Sequence, residues 1–378
     1  MEKKPTKIVV VCPLEVGGVG NMMINIQRHL NREVFNFDYL VLHDQKEAQE
    51  DTVFALGSEK IIVTADDIPL RLLRPFVRIG RFKKVCREKG IKVMHFNVDS
   101  ALSLTNILGA RLGGVKYVTI HIHTAGFVDA SFLSKLSHYA LRPFMPLLCD
   151  RFWACSHKAA EFAFPASVVK NKRYEVLPNG IELDKFDYRE EVRRRVRREL
   201  GVEGKFVVGH VGRFTEAKNH MFLIDLFKAL REKDSNAVLV LFGVGELMEQ
   251  VKEKVAREGL ADSVIFYGVS DRIYDMWQGM DVFVMPSIFE GLPVAGVEAQ
   301  VSGLPCVFST CVTKEVDLTG EPVFLDLEAP MEQWVEAVLA AKNQPRISHI
   351  ETIRKANYDI QQTADTLTEV YLEASRKL

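Results

Sequence analysis

Residues 281–309, DVFVMPSIFEGLPVAGVEAQVSGLPCVFS, constrain the fold more than any other stretch. The apolar run Val282 to Met285 predicts a strand, Pro286 to Leu292 a turn, the residues from Pro293 a helix, and Cys306 to Ser309 a second strand. Proline suits the first helical position, where its missing N–H would find no intrahelical acceptor, and Gly303 stands where such a helix would end. A helix started there turns its unpaired amides and positive dipole end toward Glu290, Gly291 and Leu292. Such a mouth draws a phosphate or another anion.

Two carboxylates flank the mouth, Glu290 in the loop and Glu298 about one and a half turns into the helix at ~3.6 residues per turn. Acids beside an anion site repel a bare phosphate, so both read as acceptors for neutral hydroxyls on either side of it. A nucleotide-sugar meets that pattern, with ribose hydroxyls on one flank, sugar hydroxyls on the other and a diphosphate between. The plain alternative for Glu298 is a solvated helix face.

At 378 residues and 47% apolar content the chain exceeds one ordinary core, which predicts two domains. No run approaches the ~18 apolar residues of a spanning helix. The opening MEKKPTKIVVVCP sets basic residues before an apolar run too short for a signal peptide, so it reads as a first strand of a cytoplasmic protein. The cysteines (Cys12, Cys86, Cys149, Cys155, Cys306 and Cys311) form no CxxC pair and read as buried thiols. Residues 1–183 carry 25 Lys and Arg against 18 Asp and Glu, a net of +7, which leaves −8 for residues 184–378. A basic half is joined to an acidic half.

The chain opens with strand, glycine loop and helix: KIVVVCP, LEVGGVG and NMMINIQRHL. Gly17, Gly18 and Gly20 allow close approach to a phosphate or sugar, but Met23 stands where a dinucleotide fingerprint needs its third glycine. Residues 69–84 interleave Arg71, Arg74, Arg78, Arg81, Lys83 and Lys84 with apolar side chains and contain no acid. That is the composition of an interfacial helix drawn to anionic lipid, or of an amphipathic helix packed on a sheet; no motif accompanies it that would indicate nucleic acid. In VKYVTIHIHT the spacing places His121 and His123 on one side of a strand, and no third partner marks them as a metal site. REEVRRRVRREL reads as a solvated, charge-rich helix.

After the strand KFVVGHV, a glycine turn at Gly212 presents Arg213 and, five residues later, Lys218. Two fixed cations at a strand's carboxyl end can meet the charge of a diphosphate leaving group. VLVLFGVGE follows with Gly243 and Gly245, then VIFYGVS, and the last helix is predicted from about 351 to 378.

Four spaced elements, the glycine loop, the His strand, Gly212-Arg213 with Lys218, and Glu290 with Glu298 around EGLP and GLP, together resemble the retaining family-4 glycosyltransferases. PNGIEL at 178–183 resembles that family's PNGID hinge, with Glu182 in place of the aspartate. The resemblance implies an α/β GT-B fold of two Rossmann-like domains facing an interdomain cleft. Residues 1–183 would form the acceptor-side domain, with a helix of about 355–378 packing back on it, and 184–354 the donor-side domain.

It further implies His121, Arg213, Lys218 and Glu290 as catalytic residues, with His121 favoured over His123 for reaching the donor sugar. Donor contacts would come from Gly18, His123, Gly212, Gly243, Val269, Gly291, Leu292, Pro293, Val294 and Glu298, and the backbone at Tyr267 to Val269 would meet the base. The donor would be a UDP-sugar, the acceptor a glycan or lipid-linked glycan, and the site that of a protein at most peripheral on the inner face of the membrane. With no D-x-D in the chain, no metal or other cofactor is expected. A nucleotide-sugar epimerase and a non-catalytic nucleotide-sugar sensor are the other classes the site admits.

Overall fold

A computed structural model describes residues 6–14, 18–70, 73–127 and 131–376. The chain forms two compact units, one running to Ile181 and resuming at Asn357, the other spanning Glu182–Ala356. Gly17 and Arg71, both singled out in the sequence, lie outside the described residues.

The N-terminal unit is built on seven strands: β1 (Thr6–Val11), β2 (Phe35–Val41), β3 (Lys60–Ile62), β4 (Val93–Val98), β5 (Tyr117–Ile122), β6 (Arg151–Ala154) and β7 (Glu175–Val176). They lie in the order β3-β2-β1-β4-β5-β6-β7, every neighbouring pair parallel. β2 and β5 are buried along their whole length, as parallel strands covered on both faces must be. Ile8, Val10, Phe35 and Phe37 pack on Ile24 and Ile26 of the Gly18–His29 helix and on Leu367 and Tyr371 near the C-terminus. Tyr371 meets the Phe37 ring edge-on at 6.1 Å.

The single last helix predicted from 351 is two helices. Ile350–Lys355 belongs to the second unit, and Ile360–Arg376 completes the first. Between them Asn357 takes a left-handed φ of 66°, which no α-helix tolerates, and Ile181 bridges Asp359. In the basic segment, the Arg74–Glu88 helix spends two of its cations on acids just before it: Arg81 grips Asp67 at 2.7 and 2.6 Å, and Arg74 lies 3.5 Å from Asp66. The stretch is free of acids in sequence but not in space.

The C-terminal unit carries β8 (Phe206–Val211), β9 (Ala237–Phe242), β10 (Val264–Gly268), β11 (Val282–Met285), β12 (Cys306–Ser309) and β13 (Val323–Leu325), ordered β10-β9-β8-β11-β12-β13 and again all parallel. The order reverses between β8 and β11. At such a switch point the crossovers leave in opposite directions, so loops at the strands' carboxyl ends part and leave a crevice.

The arginine-rich stretch keeps Arg194 and Arg198 exposed, as expected, but is not solvated all round. In the Glu190–Leu200 helix, Arg193 pairs with Asp281 at 2.5 Å, Arg195 with Asp275 at 2.7 Å, and buried Arg197 reaches both Asp281 and the Gly279 carbonyl. Partners more than 70 residues away neutralise what reads locally as a charge run. Five of the six cysteines are buried, and Cys311 is exposed.

The ends of β8, β9 and β10 are stitched by backbone. Gly212 N–H donates to the Phe242 carbonyl at 3.0 Å, Phe214 N–H to Val244 at 3.1 Å, and Gly243 N–H to Gly268 at 2.8 Å. Gly243 has φ +130°, and a Cβ there would stand 2.1 Å from the Gly212 carbonyl oxygen, a backbone atom that cannot step aside. Its glycine is thus required for loop packing, whatever it also does for a ligand. Gly243→Ala is expected to cost about 2–4 kcal/mol, read as a lower urea midpoint in equilibrium unfolding; an unchanged midpoint would contradict the packing.

Candidate functional site

In the C-terminal unit the chemistry-bearing side chains gather at the β8/β11 switch point. Lys218 ends a short turn, Glu216–Lys218, that follows β8, and Asn219 in a left-handed conformation starts the next helix, His220–Lys233. Ile288 N–H, in the loop after β11, donates to the Ala217 carbonyl at 2.8 Å and holds the two loops together. Across this tie Lys218 Nζ meets Glu290 Oε1 at 2.5 Å. Ser287 Oγ donates to the same oxygen at 2.8 Å, and Ser309 Oγ fixes Ser287 through its carbonyl at 2.5 Å. The pair is largely shielded, with the Lys218 and Glu290 side chains 20% and 11% exposed. Arg213, exposed, follows Gly212, which lies against the Lys218 stem, and has no ion-pair partner among the described residues.

Close to the pair, His210 on β8 donates from Nδ1 to the Val284 carbonyl of β11 at 2.8 Å, bolting the two strands together where the strand order reverses. Burial holds its pKa down at about 4, with Lys218 adding to the effect, so the ring is neutral at physiological pH. Its neighbour His220 stacks on Phe214 with centroids 4.0 Å apart.

The helix after Gly291 and Leu292 is Val294–Val301, and Pro293 caps it with φ −74° and ψ 109°. Pro293 therefore sits one position before the first helical residue rather than in it. Gly303, at φ +61°, ends the turn behind Ser302. Glu298, on this helix, accepts from buried Trp277 Nε1 at 3.1 Å. Burial lifts its carboxyl from 4.5 to about 7, opposed only by that indole donor. Tyr267 and Val269, at the end of β10, are exposed.

In the N-terminal unit the ends of β4 and β5 hold a histidine cluster. His121 and His123 lie on one side as the strand period requires, their rings 4.0 Å apart, but at different depths. His121 is wholly buried between His95 and Trp153, and burial with its two histidine neighbours holds its pKa well below the ordinary value. His123 is only half-buried. Asn97 donates its amide to the Val11 carbonyl at 3.3 Å, so its oxygen faces His123, and Nε2 of that ring donates to it at 2.8 Å. The ring nitrogens of His123 are not open to solvent, Nδ1 being buried as well, and burial, opposed by Asn179, holds its pKa down at about 4. His95 in turn bonds Tyr371 of the last helix at 2.7 Å. Gly18 begins the Gly18–His29 helix at φ +57°.

The sequence singled out Lys218 and Glu290 separately; the fold joins them across 72 positions. Ser287, three residues before Glu290 in the same loop, carries a local signal that could have marked it. Trp277, His210 and Asn97 carry none, because only folding brings them near their partners. Among the described residues no group of three His, Cys, Asp or Glu side chains could hold a metal ion, and no helix is long and apolar enough to cross a membrane.

Two protein families match the chain: Glycosyltransferase Family 4 over residues 16–185 and Glycosyl transferases group 1 over 192–322. The chain is 31% identical over 375 residues to a Bacillus subtilis protein named as glycosyltransferase EpsF, covering 97% of this chain and 96% of that one. It is 32% identical over 252 residues to the Escherichia coli UDP-Gal:alpha-D-GlcNAc-diphosphoundecaprenol alpha-1,3-galactosyltransferase, covering 64% and 63%. Among solved structures, HepE from Anabaena in complex with UDP superposes with a TM-score of 0.75 at 16% identity, over 97% of this chain and 99% of that one. WaaG, a glycosyltransferase involved in lipopolysaccharide biosynthesis, gives 0.69 at 16%, over 96% and 99%.

A pH dependence follows from Glu298. Between about 4.5 and about 7 the folded chain keeps a proton that the unfolded chain has lost, so the carboxyl's contribution is whole below that window and is lost as pH rises through it. Urea midpoints of the wild type are expected to fall from about pH 5 to about pH 7 by more than those of Glu298→Gln, which has no proton to lose. Parallel profiles would contradict the burial of that carboxyl.

Proposed function

The chain belongs to the family-4 glycosyltransferases and has their GT-B fold, and from that premise we propose that it moves a sugar, with retention of configuration, from a UDP-sugar to an acceptor hydroxyl. The observation that carries this reading is the Lys218–Glu290 pair at the carboxyl ends of β8 and β11, with Arg213 exposed on the loop that follows β8.

The arrangement supports a division of labour. Arg213 and Lys218 meet the negative charge that grows on the departing diphosphate, helped by the unpaired amides at the start of the Val294–Val301 helix. Glu290, held by Ser287, accepts from the sugar's hydroxyls, and Glu298, held by Trp277, accepts from the ribose. The exposed backbone from Tyr267 to Val269 receives the base. In the step itself the acceptor oxygen attacks the anomeric carbon from the face the diphosphate leaves. The bond to the phosphate oxygen breaks, and that oxygen takes the acceptor's proton.

UDP as the donor nucleotide draws support from the Escherichia coli relative, named for UDP-Gal, and from the HepE complex with UDP. The diphosphoundecaprenol in that relative's name also supports a lipid-linked glycan acceptor. A first half of net charge +7 suits that setting.

No metal is assigned to the leaving group in this reading, because Arg213 and Lys218 supply its positive charge. UDP release coupled to acceptor glycosylation is expected to persist in excess EDTA, and Arg213→Met is expected to lower kcat/KM by roughly 100- to 1,000-fold. A strict requirement for magnesium or manganese, or a wild-type rate in Arg213→Met, would contradict it.

A further inference from the structure

The solvent face of the Phe132–Leu141 helix is built the wrong way round for a helix that meets only water. Phe132, Leu133, Leu136 and Tyr139 recur at the spacing of one helical stripe, and all four are exposed, Phe132 by 81%. The short turn and helix that follow, Arg142–Phe144 and Met145–Leu148, extend the stripe with exposed Phe144 and Leu147, the latter by 77%. The opposite side of the same helix is secured. His138 is buried, accepts from Ala101 N–H at 3.1 Å and stacks on Phe162, so the stripe is not a core face swung loose. Contiguous exposed apolar surface of this kind marks a surface that meets something other than water.

Charge decides what it meets. Residues 131–149 contain Lys135 and Arg142 and no Asp or Glu; Asp150, just beyond, is taken by Arg111, Asp129, just before, lies outside the described residues, and although Arg142 donates to the Phe162 carbonyl at 2.9 Å, neither cation forms an ion pair with a described residue. Both flank the stripe, and the Arg142 guanidinium lies over the Tyr139 ring at 5.9 Å. A second copy of the chain docked by a two-fold axis would set this patch against itself and press its cations together with no acid to offset them. An anionic bilayer takes both parts at once, the apolar side chains entering the acyl boundary and the cations resting among the headgroup phosphates. The aromatic rings suit that depth.

We propose that residues 131–149 are the element by which this protein inserts shallowly into an anionic phospholipid surface. This rests on the lipid-linked acceptor reading above and moves the docking element away from residues 69–84. There Arg74 and Arg81 already face Asp66 and Asp67, so that segment retains fewer free charges than its sequence promises.

Co-sedimentation with vesicles tests the proposal, using phosphatidylcholine alone and phosphatidylcholine mixed with phosphatidylglycerol. The full chain is expected to sediment with the mixed vesicles and to keep a residual attachment at high salt, because burial of apolar side chains is not screened. A triple variant, Phe132→Ser with Leu136→Ser and Leu147→Ser, is expected to bind on the order of a hundredfold more weakly. All three side chains are exposed, so the folded core loses nothing, and the thermal shift produced by UDP should match the wild type. Equal sedimentation of variant and wild type would overturn the assignment of 131–149 while leaving membrane attachment standing. A wild type that stays in the supernatant yet is stabilised by UDP would overturn both, and leave the donor site standing. A concentration-dependent dimer dissolved by the three substitutions would replace the bilayer with a second copy.

Discussion

Every paired strand in both sheets runs parallel, and the placement of functional groups depends on that constraint. A parallel strand can be followed by its neighbour only through a crossover, so all the loops leaving carboxyl ends collect along one edge. Where the strand order reverses, between β8 and β11, those loops part, and Lys218 from one side meets Glu290 from the other. His210 makes this junction rigid by tying β8 to the Val284 carbonyl, and Gly243 lets the β9 loop lie directly on the Gly212 backbone. In the N-terminal unit the order reverses between β1 and β4, and there Asn97 of β4 donates to the Val11 carbonyl of β1 while accepting from His123, just past β5.

The fold treats its two site carboxylates differently. Glu290 is compensated by an ammonium and a hydroxyl, whereas Glu298 faces only an indole N–H in a buried setting that lifts its carboxyl to about 7. Two acids eight positions apart thereby acquire different chemistry from their surroundings rather than from their own type. The same logic separates His121 from His123, identical rings on one side of one strand: His121 packs between His95 and Trp153 without a side-chain hydrogen bond, whereas His123 is held by Asn97.

Much of this was legible in the sequence where local rules govern. The apolar runs at 282–285 and 306–309 are β11 and β12 to the residue, and the Gly303 stop is present at positive φ. Long-range electrostatics was not legible. Arg193 and Arg197 read as a solvated face because their partner Asp281 lies more than 80 positions on, and Asp66 and Asp67 sit just outside the window that made residues 69–84 look unopposed. The break at Asn357 was hidden because a single left-handed residue has no periodic signature. The stripe on Phe132–Leu141 was hidden for the opposite reason: its periodicity is that of any helix packed on a core, and only its exposure tells otherwise.

The central claim is that Lys218 serves the donor's phosphates and Glu290 its sugar, each restraining the other in the pair they form. Titration calorimetry of UDP, which has phosphates but no transferable sugar, separates the two roles. Lys218→Met should weaken UDP binding by roughly 10- to 100-fold, since a charge-assisted contact to a phosphate is lost. Glu290→Gln should leave the affinity unchanged or raise it, because it releases Lys218 and removes a negative charge from beside the diphosphate. Weaker UDP binding by Glu290→Gln, of the same size as in Lys218→Met, would contradict that division.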